Sequence, residues 1–169
     1  MRRLTLALVA AIALAAPAMA QDVRNLASVN GWVAYIAQSS NGQLCGMGTE
    51  ANTRGRFFWI KLERLSGDLH GFVQVGDRSW NVRNGATGRI VIGIDRQRAE
   101  LNYAGTSRAD MIEASYRGAF DNFINFVRAF ALGSRMQVTF PGENVEPWTA
   151  DLRGTRAVTD AFLACARRI

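Results

Sequence analysis

Apolar residues recur along this chain with two different periods, and the change from one to the other divides it. From about Trp32 to Tyr116 they fall in short runs broken by glycine, asparagine and aspartate: WVAYIAQ (32–38), LCGMG (44–48), RFFWIKLER (56–64), HGFVQVG (70–76), RIVIGI (89–94), RAELNYA (98–104) and DMIEASY (110–116). In RAELNYA, Ala99, Leu101 and Tyr103 alternate with Arg98, Glu100 and Asn102, the period of a strand with one wet face. Phe57, Phe58, Trp59 and Ile60 are continuous instead, as in a strand covered on both faces. Turn chemistry is supplied by Ser66-Gly67-Asp68, Gly76-Asp77 and Asn84-Gly85. Strands this close in sequence, with no helix between them, pair antiparallel.

The period then becomes helical. In FDNFINFVRAFA (120–131), Phe120, Phe123, Ile124, Val127, Phe130 and Ala131 share one side, and Asp121, Asn122, Asn125 and Arg128 take the other. Such a phenylalanine stripe is the face by which a helix packs on a sheet. Gly133 is a suitable stop. Two more strands are expected, SRMQVTF (134–140) and PWTADLRG (147–154), joined by a turn at Pro141-Gly142. A closing helix runs over about 156–168, capped by Thr155, with Val158, Ala161, Phe162, Cys165 and Ile169 inward. The expected fold is mainly β with two helices, α+β, built as an antiparallel sheet or a β-sandwich.

The N-terminal segment changes the picture of where this fold works. MRRLTLALVAAIALAAPAMA has a basic start, an apolar stretch shorter than a membrane span and a small-residue site. It reads as a secretory signal peptide, residues 1–20, cut between Ala20 and Gln21. Residues 21–169 then form a single globular domain with no repeat or linker, a size that holds one core. Export from a Gram-negative bacterium into the periplasm or beyond is the expected destination. Loss of Arg2 and Arg3 lowers the formal charge of +6 to about +4. The arginines interleave with acids, as in Asp95-Arg96-Gln97-Arg98-Ala99-Glu100, which argues for a solvated surface of mixed sign and against a nucleic-acid groove.

Two cysteines, Cys45 and Cys165, stand far apart in this exported chain. Compartment and even count predict that they pair, and closing a loop of about 120 residues stabilises the folded state by roughly 4 to 5 kcal/mol in the chain-entropy account. The competing readings are poorer. Two cysteines and the single His70 fall short of four zinc ligands, no CxxC motif is present, and a Cys/His nucleophile pair lacks a third group to orient it. Serine-hydrolase, zincin, Walker and Rossmann signatures are absent, so no catalytic, cofactor-binding or metal residue is assigned. Asp110 with Glu113 is an acid pair whose spacing alone does not make a general acid.

Several of these features occur together in a known family. The early GWVAYIAQSSNGQLCGM, a helix followed by GSRMQVTF, and the ending WTADLRGTRAVTDAFLAC resemble the invasion associated locus B family of exported bacterial proteins. The resemblance implies a small periplasmic or secreted protein of mostly β fold with no assigned catalytic residues, some members being linked to host-cell invasion. This chain departs from the family where a cysteine often follows the early tryptophan, having Val33, Ala34 and Tyr35 after Trp32. The expectation that follows is a non-catalytic, disulfide-stapled envelope protein with a protein or envelope component as partner. Two others stand beside it: a module binding anionic lipid or lipopolysaccharide, and a hydrolase built around His70 and nearby carboxylates.

Overall fold

The computed structural model describes residues 23–49, 54–116 and 119–169. The expected signal segment, with its cleavage site at Ala20 and Gln21, lies outside them. Ten strands and two helices follow in order: β1 (Arg24–Val29), β2 (Trp32–Ser39), β3 (Gly42–Thr49), β4 (Arg56–Leu65), β5 (Asp68–Asp77), β6 (Thr87–Ile94), β7 (Gln97–Gly105), β8 (Met111–Ser115), α1 (Phe120–Leu132), β9 (Arg135–Thr139), β10 (Trp148–Asp151) and α2 (Thr155–Ala166). All strands belong to one sheet in the order β1-β2-β3-β4-β5-β8-β7-β6-β9-β10, and every pairing is antiparallel. The fold is therefore α+β, a single sheet rather than a sandwich of two.

Alternation places one row of side chains on the helix-covered face. Ala34, Met47, Ile60, Val73, Ala114 and Tyr103 lie side by side across six strands and are all buried. The sheet curls until its far ends approach. Trp32 Nε1 of β2 donates to the Asp151 carbonyl of β10 at 2.9 Å, and Asn30 Nδ2 donates to the Arg153 carbonyl at 3.3 Å. Helix α1 lies on the concave side, where Phe130 meets Trp32 edge-on at 5.0 Å and stacks on Phe58 at 6.2 Å. Gly71 makes room for it, since a Cβ there would sit 2.5 Å from the Phe123 ring.

Cys45 of β3 and Cys165 of α2 are joined by a disulfide with their Cα atoms 5.9 Å apart, both side chains buried. The bond ties the last helix to an early strand. Among the described residues no helix is long and apolar enough to cross a membrane.

Four details depart from the sequence reading, each for a physical reason. Strand β1 was not expected because an end strand, hydrogen-bonded on one side only, needs few apolar residues; Leu26 and Ala27 are merely half-buried. Gly76 and Asp77 remain in β5 and do not turn; the glycine is required because a Cβ would fall 2.0 Å from the Phe57 ring. Thr155 does not cap α2. Gly154 takes the cap position in a left-handed conformation (φ 95°), and Thr155, fully buried as the first helical residue, lies within hydrogen-bond reach of the Phe130 and Leu152 carbonyls. The buried side of α1 also extends to Phe126 and Ala129, because the sheet curls around the helix and covers more than one stripe.

At one end of the β4–β5 hairpin, Asp77 accepts from Arg56 Nε at 3.1 Å and from the backbone N and Oγ of Ser79. Burial opposes ionisation there, but these donors outweigh it and hold the carboxyl below its ordinary 3.8. A folded-state value below the unfolded one gives stability that is present above the ordinary value and is lost as pH falls through the folded value. Asp77→Asn is therefore expected to lower stability by about 1–3 kcal/mol near neutrality, with the gap to the parent protein closing below pH 3.8. Urea unfolding at several pH values reads this directly.

Candidate functional site

The sheet has a split in it. Strand β7 is paired with β6 from Gln97 to Ala104, but with β8 only from Tyr103 to Gly105. Among the described residues, β7 therefore has no strand neighbour on the β8 side toward its start. The hydrogen-bond parity of the strand follows from its far end. Gly105 bonds to Ala86 and Gly85 on the β6 side, whereas Thr106 N bonds to the Met111 carbonyl on the β8 side. Odd-numbered residues thus turn their backbone groups toward β6, and Arg98 and Glu100 turn theirs toward the gap.

The gap is a cleft of about 530 Å³. Five consecutive residues of β7, Gln97 to Leu101, form one wall, Ser115 at the end of β8 and the following Tyr116 close one side, and Asn122, Asn125, Phe126 and Ala129 of α1 line the opposite flank. Ile92 and Ile94 add apolar surface. Tyr116 is 7% exposed, stacks on Phe126 at 5.8 Å, and has a hydroxyl with no hydrogen-bond partner among the described residues. Burial pushes its phenol above the ordinary range, so it stays a neutral donor.

A second hollow continues from the first, sharing Ile94, Gln97, Asn125 and Ala129 with it and adding Arg96, Arg128 and the exposed Leu132. Charge along this rim is unbalanced. The carboxylate of Asp95 is taken by the backbone N–H groups of Ser134 and Arg135, and that of Glu100 by Arg89 at 3.0 Å. Arg96, Arg98 and Arg128 have no side-chain partner among the described residues. The rim is cationic over an apolar floor.

The opposite face of the sheet carries a polar cluster. Ser115 Oγ and His70 Nε2 are 2.7 Å apart, and Glu63 Oε1 lies 3.8 Å from His70 Nδ1, beyond hydrogen-bond length. That Nδ1 is buried with no hydrogen-bond partner among the described residues, while Glu63 accepts from Ser39 at 3.0 Å and Asn41 at 3.4 Å. Serine, histidine and glutamate have the types of an acyl-transfer triad, with the bond that would orient the imidazole unmade. Nearby, Tyr35 and Trp59 meet edge-on at 5.4 Å, and the Tyr35 ring occupies the space a side chain at position 46 would take. Burial lowers the Lys61 pKa there, partly countered by Glu113.

The structure scatters the other residues singled out in the sequence. Asp110 is held by Arg108 at 2.8 Å and Glu113 by Gln74 at 2.9 Å, so the expected acid pair is two separate contacts. Cys45 and Cys165 lie in the core, away from the cleft lining. No set of three or more histidine, cysteine, aspartate or glutamate residues suited to a metal occurs among the described residues. The cleft itself had no side-chain signature to find. RAELNYA was legible as a strand with one wet face, but an unpaired edge is a property of which strands become neighbours. No protein-family model, no curated protein and no solved structure matches this chain.

Proposed function

We propose that this is an exported, disulfide-stapled envelope protein, periplasmic or secreted, that works by binding a partner in the cleft between β7 and α1. The observation that carries this reading is the combination, in one hollow, of backbone groups at Arg98 and Glu100 that have no strand partner among the described residues with an apolar floor. An open strand edge beside an apolar surface offers a template for another chain to pair with. The resemblance to invasion associated locus B proteins belongs to the same proposal and supports an accessory or interaction role at the envelope. It carries no invasion role to this chain.

A photo-crosslinking residue at Asn125, tested in intact cells, is expected to give a discrete adduct, and one at the exposed Gln43 of β3, remote from β7 in the sheet order, is expected to give none. Equal adducts at both positions contradict the proposal. A second reading, hydrolysis at Ser115 with His70 as base, is favoured by their 2.7 Å contact. Labelling by a serine-directed fluorophosphonate that is lost in Ser115→Ala would support it; the binding reading expects no labelling.

A further inference from the structure

Arg98 and Glu100 present their backbone N–H and C=O groups along one edge of β7, and Gln97 to Leu101 form an unbroken wall of the cleft. A wall of that kind offers a spaced ladder of donors and acceptors with a helix alongside, the arrangement by which an extended peptide adds a strand to a sheet. Exposed edges are commonly guarded by charge alone, and Arg98 and Glu100 would serve that purpose if the edge faced open solvent. Here it faces a hollow of about 530 Å³ floored by Ile92, Leu101 and Phe126. The rim above it carries Arg96, Arg98 and Arg128, which have no side-chain partner among the described residues.

We propose that the cleft takes an extended acidic peptide, a segment of a partner protein, laid against β7 as an added strand in line with β8. The inference rests on the preceding reading that a partner docks in this cleft. Strand alternation then divides the peptide's side chains. Those pointing inward are apolar and lie on Phe126 and Leu101. Those pointing outward are aspartate or glutamate and meet Arg98, with Arg96 and Arg128 reinforcing the field near the second hollow.

The test uses the full mature protein and two pools of eight-residue peptides, one alternating random apolar residues with aspartate or glutamate, the other with lysine or arginine in the charged positions. The acidic pool is expected to be retained at least tenfold better than the basic pool, and less well in added salt. Glu100→Pro removes an edge-facing N–H together with the exposed ion pair to Arg89, and is expected to abolish retention while leaving the thermal midpoint within a few degrees of the parent protein, as edge positions tolerate proline and exposed ion pairs contribute little. Arg98→Glu is expected to weaken the acidic pool about tenfold, and serves as the second variant should the proline variant fail to fold. Absence of acidic-pool retention, or retention undiminished in both variants, overturns strand addition. Should Asn125 still crosslink a partner when no peptide is retained, docking in the cleft stands and the occupant is not a strand. Saturable binding to vesicles of anionic phospholipid, lost in Arg98→Glu while peptides are not retained, would assign the arginine rim to lipid and likewise overturn the peptide proposal.

Discussion

Replacing Cys45 and Cys165 together with serine is expected to cost the folded protein about 4 to 5 kcal/mol, enough to remove much of the roughly 5 to 15 kcal/mol that a domain of this size holds in reserve. The bond closes a loop of 120 residues, so its loss frees almost the whole chain in the unfolded state. It also loosens α2, whose other attachments include the packing of Val158 and Phe162, the reach of Thr155 Oγ1 to the Phe130 carbonyl and the contact of Thr159 Oγ1 with Met47 Sδ at 3.5 Å. Urea unfolding is expected to show a lower midpoint and a steeper dependence on urea, because the uncrosslinked denatured chain exposes more surface. Titration of the parent protein, unfolded but unreduced, is expected to find no free thiol. Two free thiols would contradict the pairing.

Phe130→Ala is expected to be the most damaging single change away from the disulfide, at about 3–5 kcal/mol. The ring is fully buried and touches Trp32 from one end of the sheet order and Phe58 from its middle. Removing it opens a cavity where the curl of the sheet is held against α1, and Trp32 loses the contact that complements its bond to the Asp151 carbonyl. The large loss should appear in the unfolding midpoint, whereas Phe120→Ala, at the half-buried start of α1, should cost about 1 kcal/mol.

How far the chain could be read follows from where its physics is local. Alternation in Arg98–Ala104 and continuity in Phe57–Ile60 located strands because a strand's faces are written in its own residues. The phenylalanine stripe of α1 did the same for a helix, and the cysteine parity in a chain whose N-terminal segment reads as an export signal pointed to the pair now seen between β3 and α2. Strand β1 was missed although Asn30-Gly31, with both residues at positive φ (51° and 80°), is a hairpin signal that could have located it. Phe126 and Ala129 escaped because the depth of burial on α1 is set by the curvature of ten strands, and no local period reports that. His70 and Ser115 come together through a β5–β8 pairing that skips two strands in sequence. The cleft was illegible for the same reason: β7 outruns β8, and only the register of the two shows it.

Amide hydrogen exchange along β7 in the free protein tests the open edge most directly, since the account of the cleft rests on it. The account predicts alternation: slow exchange at Ala99, Leu101 and Tyr103, whose amides face β6, and fast exchange at Arg98 and Glu100, whose amides face the cleft. Uniform protection across Arg98 to Tyr103 would show the edge already paired and would contradict the account.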